Sequence, residues 1–565
     1  MLWALANPAV STETTDHPDG DPEAGRLFYW EGLTRGGEPV KVSLQGDLQS
    51  TSANFSCVGC HRPSGFGSSE GGTYVPPVTG PILFGKAALG QEHRNRLFQE
   101  FFKESQPGNF DARVRMPRSR PSYTGSSFTR ALRTGIDPAG RSLDLAMPRY
   151  NLDDQTAADL YAFMKTLSPE ISPGVTEETL HIATVISDGT NAEDKEAFLS
   201  TITKFVAWYN QDINSQLEHP GFSPFYRSEF KDSYRNWKLH VWELEGGRET
   251  WPQQLRAQYD NQPVFALVSG LVSGSFAPVD TFCNAQKLPC IFPNTELPSI
   301  GNPAQNYTLY FSRGLELEGK ALAYHLLQQP PIPTRIAQIH TSQAEGQTPA
   351  RAFENYLTGQ DPKATLTNRE FSGSDELRNS IAAAARELEP EPEHQPEDSL
   401  LVLWPGTHFA QTVAALNEFM PGHDRIMLPS GALEAALEKL SPELREKVRF
   451  TYPYEKPSGY HPRAYRIRAW MHTRGLAITS DRLQMQTYYA LSQLQYTVSQ
   501  LIHDFYRDYL IESIERVAEA ELNPGTHPSL ALGPNQRFAS KGAYIMQLTG
   551  RENPSYRAVS DWLVP

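Results

Sequence analysis

The fold of most of this chain is decided by the stretch Pro263-Val264-Phe265-Ala266-Leu267-Val268-Ser269-Gly270. Its apolar residues are consecutive and too few for a helix, so they predict a short buried β-strand. The small residues that continue to Gly274 predict a loop directly after this strand. A strand that is apolar at every position has both faces covered, which is typical of a parallel sheet.

Strands and helices alternate on both sides of this stretch. Further strands are predicted at 180–186, 239–244, 335–340, 399–403 and 424–428. Helices are predicted at 251–259, 349–357, 375–388 and 409–419, and a long core helix at 491–509. Two signals mark the start of the helix at 349–357. Thr348 can cap it with its side-chain oxygen, and Pro349 suits the first helical position. The alternation predicts βαβ units that form two parallel-sheet lobes over residues 178–565.

Length and charge limit the classes of protein to which the chain can belong. At 565 residues the chain is too long for one core, so we expect a multidomain protein. The net charge of −14 argues against nucleic acid as a partner. No apolar run reaches the roughly 18 residues of a membrane-spanning helix, so we expect no membrane span.

A second informative pattern lies near the N-terminus, at Cys57-Val58-Gly59-Cys60-His61. Two cysteines three positions apart, followed directly by histidine, form the pattern by which haem c is attached. Each thiol can bond to one vinyl group of the haem, and His61 then lies against the iron as an axial ligand. A zinc site or a redox-active dithiol is the alternative. Zinc normally needs four ligands and no second such pair lies nearby, so we expect one covalently bound haem c.

The iron of such a haem needs a sixth ligand, and methionine is the usual partner of histidine in electron transfer. Two Met-Pro pairs follow the motif, Met116-Pro117 and Met147-Pro148. Met147 stands before a predicted helix at 155–167, which Asp153 or Asp154 can cap. We therefore favour Met147 as the axial ligand and keep Met116 as the alternative. Ordinary packing would also explain either methionine.

Residues 22–168 resemble a class I cytochrome c domain. The run Gly25-Arg26-Leu27-Phe28-Tyr29-Trp30-Glu31-Gly32 is similar to the family's N-terminal helix, and the haem motif, the Met147 loop and the closing helix come in the family's order. The resemblance implies a small all-α domain whose haem is attached outside the cytoplasm, in a bacterial periplasm. Residues 1–21 fit a signal remnant with a flexible N-terminus, and residues 169–177 fit a linker.

Residues 113–133 contain six arginines and no acidic residue. They are Arg113, Arg115, Arg118, Arg120, Arg130 and Arg133. They predict a basic docking face near the haem for a redox partner with an acidic surface. A solvated surface with salt bridges to the acidic second half explains them equally well, and one or two could pair with haem propionates.

Residues 178–565 resemble a type I periplasmic binding protein, of the kind that carries branched-chain amino acids to ABC transporters. Stretch 263–270 is similar to a strand and ligand loop of the family's first lobe, and Leu288-Pro289-Cys290-Ile291-Phe292-Pro293 to its next strand. Tyr310-Phe311-Ser312-Arg313-Gly314 is similar to the crossover into the second lobe, and residues 530–544 also resemble the family. The resemblance implies two α/β lobes that close on a ligand.

In an open α/β sheet, ligands bind beyond the carboxyl ends of the strands. Six residues of these loops are therefore candidates to bind a small molecule. They are Asp188, Ser269, Gly270, Ser273, Trp404 and Tyr454. Backbone N–H groups of the small residues could bind a carboxylate, and the aromatic rings could stack on a planar or apolar ligand. Turn chemistry and core packing are the alternative explanation for each of them.

Cys283 and Cys290 are the two cysteines that the haem pattern does not use. They lie seven positions apart, and an oxidising compartment favours a local disulfide between them. Two free buried thiols are the alternative.

These features together predict a periplasmic electron carrier rather than an enzyme. Its second domain would recognise a small solute or a redox partner. A haem oxidoreductase of the peroxidase type is one alternative, and it would need an open or displaceable sixth site on the iron. A solute receptor or sensor whose haem reports ligand binding is the other.

Overall fold

The computed structural model divides into two compact units, and each is described by itself. The first unit comprises Met1–Ser172, Pro220–Lys231 and Ile502–Glu512, and the second comprises Pro173–His219, Asp232–Leu501 and Ser513–Pro565. The structure describes residues 19–44, 48–70, 73–85, 120–218, 235–299, 301, 306–389, 399–420, 425–456, 461–501, 504–517, 523–533, 535–550 and 555–565. Residues 502–512 thus lie in the first unit, although the sequence assigned them to the second domain.

Helices make up most of the regular structure of the first unit. They are α1 (Pro22–Glu31), α2 (Cys57–His61), α3 (Gly80–Phe84), α4 (Gly125–Thr134) and α5 (Asp154–Thr166). The strands β1 (Lys41–Ser43), β2 (Gln49–Thr51) and β5 (Arg149–Tyr150) form an antiparallel sheet in the order β2-β1-β5, and β3 (Ser68–Glu70) pairs with β4 (Thr73–Val75). The prediction of an all-α domain is corrected by these strands. In β1 only Val42 is buried, between two exposed residues. A strand of three residues is too short for this alternation of buried and exposed positions to be recognised in a sequence.

The sequence explains where α1 begins and ends. The side chain of Asp21 caps the helix, Pro22 takes its first position, and Gly32 ends it in the left-handed region at a φ of 71°. A Cβ atom on Gly25 would lie 2.1 Å from the carbonyl oxygen of Asp159 in α5. The two helices therefore cross at a separation that requires glycine at this position.

The first lobe of the second unit is a parallel sheet. Its strands are β6 (Thr179–Ser187), β7 (Asn236–Leu244), β8 (Ala266–Val268), β9 (Cys290–Ile291) and β10 (Thr308–Leu309), in the order β10-β9-β8-β6-β7. The helices α6 (Ala192–Glu218), α7 (Trp251–Asn261) and α8 (Ala277–Ala285) alternate with them. All three residues of β8 are buried, as the apolar run at 263–268 predicts.

The second lobe has a larger sheet that is parallel over most of its width. Its strands are β11 (Arg335–Thr341), β12 (Leu366–Phe371), β13 (Ser399–Trp404), β14 (Ile426–Leu428), β15 (Val448–Tyr452), β16 (Tyr544–Thr549) and β17 (Ser555–Ala558), in the order β12-β11-β13-β14-β15-β16-β17. Strands β11 to β15 are parallel, whereas β16 and β17 are antiparallel additions. The predicted two-lobed α/β architecture with parallel sheets is therefore confirmed.

The remaining helices follow the crossover between the lobes. They are α9 (Leu315–Leu327), α10 (Ala344–Gln360), α11 (Ser374–Glu387), α12 (Phe409–Phe419), α13 (Leu433–Lys439), α14 (Pro442–Arg445), α15 (Pro462–Thr473), α16 (Asp481–Leu501) and α17 (Arg507–Val517). Among the described residues, no helix is both long enough and apolar enough to cross a membrane.

Two helix predictions are corrected by the structure. Helix α10 begins at Ala344 after Gln343, so Thr348 is not its cap and Pro349 lies inside it. Pro349 packs closely on α9: a Cβ atom on Gly319 would lie 2.3 Å from the carbonyl oxygen of Pro349. This contact between the two helices outweighs the local preference of proline for the first position of a helix. The helix predicted at 491–509 instead consists of the end of α16 and the start of α17, because residues 504–506 are not helical.

Candidate functional sites

Helix α2 carries the three side chains of the haem-attachment pattern. Cys57 and His61 are buried, whereas Cys60 is exposed. Residues three and four positions apart are neighbours on a helix, so Cys57 has both Cys60 and His61 beside it. Burial raises the pKa of the Cys57 thiol to about 12, so this thiol is protonated at neutral pH.

The imidazole of His61 is oriented by one hydrogen bond. Its Nδ1 lies 3.0 Å from the carbonyl oxygen of Pro76, and a carbonyl can only accept, so Nδ1 carries the proton. The lone pair is then on Nε2, which is how a histidine presents itself to a metal. Burial lowers the pKa of His61 to about 4, so the ring is neutral at physiological pH. Neutral imidazole is the form that binds iron.

Met147 lies at the edge of the core of the first unit. It is partly buried against the same apolar cluster that contains Cys57. Its loop is held by hydrogen bonds from the Met147 N–H to the Asp144 carbonyl and from Arg149 to the Met147 carbonyl. Met116, the alternative ligand, lies outside the described residues. Two thiols, a neutral imidazole with a free Nε2 and a methionine at the edge of the core are the groups that a covalently attached haem c would require, and the haem itself stays a prediction.

Three of the six clustered arginines are described, and each one donates to backbone carbonyls of its own unit. Arg120 donates to Ile82, Arg130 to Asp137, and Arg133 to Leu152. These bonds hold loops together, so the three residues have a structural role whether or not they also form a docking face. The other three, Arg113, Arg115 and Arg118, lie outside the described residues.

A segment from far along the chain holds the loop that follows His61. The N–H and the hydroxyl of Ser64 donate to the two carboxylate oxygens of Glu512, at 2.7 and 2.5 Å. The ring of Phe66 stacks on Tyr509 with centroids 4.4 Å apart and packs on Tyr506 at 5.2 Å. All of these residues belong to the first unit. No local signal in the sequence could have indicated this contact, because its partners are more than four hundred positions apart.

Asp188 and Ser273 lie at the carboxyl end of the first-lobe sheet, as predicted, but both are engaged in turns. The carboxylate of Asp188 accepts the N–H of Gly246, and the N–H of Ser273 donates to the hydroxyl of Ser187. These bonds are the turn chemistry that was the alternative explanation for both residues.

Ser269 and Gly270 follow β8 in unusual backbone conformations. Ser269 is buried with a φ of 56°, and Gly270 has a φ of 136°. The hydroxyl of Ser269 accepts a hydrogen bond of 2.8 Å from the amide of Asn294, which follows β9. The other end of that amide, Oδ1 of Asn294, is buried and has no hydrogen-bond partner among the described residues. This edge of the sheet therefore holds an unused polar acceptor.

Trp404 lies in the core of the second lobe, which favours core packing, the alternative explanation of this residue. It is 1 % exposed at the end of β13, and its indole N–H donates to Gln338 over 3.0 Å. Its hydrogen-bonding capacity is satisfied inside the second lobe, so an aromatic residue at a strand end was not sufficient to indicate a ligand site.

Tyr454 follows β15 and packs against Arg482 at the start of α16. The guanidinium carbon of Arg482 lies 4.1 Å from the centre of the Tyr454 ring. Arg482 is exposed to solvent, and its pKa is raised chiefly by Tyr454 of the second lobe and to a smaller extent by Glu296 of the first. A side chain that is hydrated but has neighbours from both lobes lies in a cleft. The sequence analysis named Tyr454 as a candidate and did not name Arg482, and the role of Tyr454 in ligand binding stays a prediction.

Glu318 and His527 lie close to this cleft. The carboxylate of Glu318 accepts the N–H of Ser430 at 2.8 Å, its hydroxyl at 2.7 Å, and the hydroxyl of Thr451 at 2.5 Å. Burial is the main reason that the pKa of Glu318 rises to about 7. Burial, with a smaller effect of Arg482, lowers the pKa of His527 to about 3, so this ring is neutral.

Cys283 and Cys290 are both buried and are free thiols in this structure. Cys283 lies in α8 and Cys290 in β9. Burial chiefly, with a smaller effect of the neighbouring Cys283, raises the pKa of the Cys290 thiol. The two side chains are neighbours, and the disulfide itself stays a prediction.

Comparisons with known proteins agree with the fold of the second unit. No family model matches the chain, and no curated protein matches it. A substrate-binding protein of an ABC transporter from Aeropyrum pernix is similar in structure, with a TM-score of 0.50, 12 % sequence identity, and coverage of 69 % of this chain and 96 % of that one. At this identity the likeness shows the fold alone, the two-lobed α/β fold of binding proteins.

Two further solved structures match less well. One is a branched-chain amino acid ABC transporter protein from Thermus thermophilus with bound valine, with a TM-score of 0.49, 10 % identity, and coverage of 69 % of this chain and 97 % of that one. The other is a fatty acid ABC transporter substrate-binding protein from Thermomonospora curvata, with a TM-score of 0.46, 15 % identity, and coverage of 70 % and 95 %.

Proposed function

We propose that this protein is an exported c-type cytochrome in the bacterial periplasm whose second unit binds a small solute. The first unit would carry haem c on Cys57 and Cys60, with His61 and Met147 as the axial ligands. The state of His61 supports this proposal most directly, because its buried, neutral ring keeps Nε2 free while Nδ1 donates to Pro76. When bound, the haem would accept and release single electrons.

The residues around the motif would orient the haem rather than take part in chemistry. Pro76 fixes the tautomer and the plane of His61, which is the usual role of a second partner of a ligating histidine. Arg149 holds the carbonyl of Met147 and so supports the loop that presents the sulfur. Two protein ligands would saturate the iron, so we favour an electron carrier that serves a redox partner over a haem enzyme.

The second unit would recognise its solute in the cleft that contains Arg482. Its two-lobed α/β fold is that of binding proteins, and such lobes can close on a ligand by a hinge motion. The cleft combines a hydrated guanidinium with an aromatic ring. A few polar groups around an apolar surface are typical of a small-molecule site.

The proposal for the first unit is tested by optical spectra of the full chain matured with haem. Wild type, Met147→Ala and Met164→Leu would be compared oxidised and reduced, with and without carbon monoxide. We expect a weak far-red band from methionine sulfur on ferric iron in wild type, its loss in Met147→Ala, and no carbon monoxide binding in wild type. Met164→Leu is the control, because Met164 is a buried methionine of the same unit that packs in its core.

Each other outcome changes the assignment in a definite way. A band that survives Met147→Ala transfers the role of axial ligand to Met116. A high-spin wild type that binds carbon monoxide favours the haem oxidoreductase. A matured protein without covalent haem contradicts the proposal for the first unit.

A further inference from the structure

Arg482 has an unused capacity for hydrogen bonding. Its guanidinium carries five N–H donors, and within the part of the chain that the structure describes it makes no hydrogen bond and no ion pair. Other arginines of the second unit are engaged, as Arg468 is with Asp481 and Arg537 with Glu515. A guanidinium that lies in a cleft and has no hydrogen-bond partner among the described residues is suited to bind an anionic ligand.

Arg482 is also held in place on one side. Tyr454 packs on the guanidinium, His527 packs on Tyr454 with centroids 5.4 Å apart, and Phe311 stacks on His527 at 5.6 Å with the rings 5° from parallel. His527 is 1 % exposed, so this row of rings is anchored in the protein interior. Contact with this anchored ring covers the guanidinium on one side and leaves its N–H groups available to a planar group.

The charges around Arg482 restrict which anion can bind. Glu296 and Glu434 both act on Arg482 electrostatically, and Glu318 lies near Glu296. These carboxyl groups repel a bound anion in proportion to its charge, so a dianion such as phosphate is disfavoured more than a singly charged group. A carboxylate is planar, carries a single charge and matches the fork in a bidentate manner.

We propose that the cleft binds a small monocarboxylate and that Arg482 is the residue that binds its carboxylate group. This inference rests on the proposed solute-binding function of the second unit and names the class of solute. The carbon skeleton of the solute would lie against the neighbouring rings of Tyr452 and Tyr454, whose centroids are 5.5 Å apart. Apolar contact with these rings would add affinity without adding charge.

The test uses the full chain and titration calorimetry with defined probes. Acetate, butyrate and benzoate are compared with acetamide, butyramide and benzamide, which have nearly the same shape without the charge, and with inorganic phosphate. We expect wild type to bind at least one of the carboxylates and to bind the corresponding amide at least about 10-fold more weakly. A hydrogen bond to a charged group contributes roughly 1.5–3 kcal/mol, so we expect Arg482→Met to lose about 10- to 100-fold in affinity.

Two variants separate loss of binding from loss of folding. Arg482→Lys keeps the charge but not the fork, and we expect weak binding to remain. Arg466→Met is the matched control, because Arg466 is exposed on α15 and lies in the same unit, and we expect it to bind as wild type does. Circular dichroism checks that all variants are folded.

Four results would overturn the inference. They are wild type that binds none of the carboxylates, phosphate that binds more tightly than they do, amides that bind as tightly as carboxylates, and Arg482→Met that keeps full affinity while folded. If amides bind in the cleft, the proposed solute-binding function stands and only the class of solute is wrong. The solute-binding function itself fails if small-angle scattering and calorimetry detect neither closure nor binding with these probes or with a panel of amino acids, sugars and fatty acids.

Discussion

The surroundings of Glu318 set the charge of this single residue. Three hydrogen-bond donors from Ser430 and Thr451 favour its ionised form. Burial acts in the opposite direction and is the stronger effect, since the side chain is 3 % exposed and its pKa rises to about 7. The carboxylate of Glu296 adds to the rise. Glu318 is therefore a buried acid that changes its charge near neutral pH.

We expect the stability advantage of wild type over Glu318→Gln to shrink as the pH rises from about 4.5 to about 7. The folded protein binds this proton more tightly than the unfolded chain does, because the pKa is raised from 4.5 to about 7. The protonated Glu318 contributes its full stabilisation of the folded state below pH 4.5, and this contribution is lost as the pH rises through 7. The free energy of unfolding that is lost in this way is roughly 3 kcal/mol. Urea unfolding between pH 4.5 and 8 measures it.

The exposed carboxyl group of Glu443 supplies the comparison for this experiment. The stability difference between wild type and Glu443→Gln should stay nearly constant over the same pH range. A constant difference for Glu318→Gln as well would mean that this carboxyl group does not titrate as its burial implies.

At the scale of elements, the crossing of α1 and α5 organises the first unit. Gly25 lets the helices touch, and the buried carboxylate of Asp159 accepts the N–H of Asp21 at 2.9 Å and an N–H of Arg35 at 2.7 Å. The start of α1 is thus held by α5 through backbone contact and hydrogen bonds. Helices of ten and thirteen residues are only marginally stable alone, so this packing is what makes them form.

We expect Gly25→Ala to destabilise the first unit by about 2 kcal/mol, although alanine is the better helix former. The added Cβ atom would lie 2.1 Å from the backbone oxygen of Asp159, so the two helices must move apart. Thermal unfolding measures the loss. Gly36→Ala is the control, because its Cβ atom would meet nothing closer than 3.8 Å. Equal melting temperatures for the two variants would contradict the close crossing.

At the scale of the whole molecule, the first unit is assembled from distant parts of the chain. Residues 502–512 join it from beyond α16, and Glu512 and Tyr509 hold the loop after His61. The buried N–H of Ser64 has its partner only in this late segment. The first unit is therefore not complete at the end of residues 1–172.

We expect a fragment of residues 1–172 to unfold about 5 °C or more below the first unit of the full chain, because the hydrogen bonds to the Glu512 carboxylate are lost. A synthetic peptide of residues 502–517 should restore part of this stability. The same peptide with Glu512→Gln should restore less. The melting temperatures of the fragment, alone and with each peptide, are measured by circular dichroism. A fragment as stable as the intact unit would contradict the stabilising role of residues 502–512.

The sequence by itself determined the repeating and the local features of this protein. Apolar runs such as 263–268 predicted the strands, because periodic burial leaves its pattern in the residues themselves. The cap of α5 was predictable for the same reason, since Asp153 and the N–H that it accepts from Thr156 lie within a few positions of each other. The haem c predicted from Cys57-Val58-Gly59-Cys60-His61, which is an equally local pattern, stays a prediction. The position of α10 was misjudged because its contact with α9 outweighs a local proline signal.

Only the tertiary structure decided which distant residues meet. In the folded protein Arg482 packs against Tyr454, and Ser64 is hydrogen-bonded to Glu512. Glu318 accepts hydrogen bonds from Ser430 and Thr451. The structure also shows that Trp404, a predicted ligand contact, is buried in the core of the second lobe. A residue type and its neighbours in sequence do not reveal whether a polar group will be buried, hydrated or paired. That depends on packing between segments far apart in the chain, and burial and pairing in turn set the charge of each group.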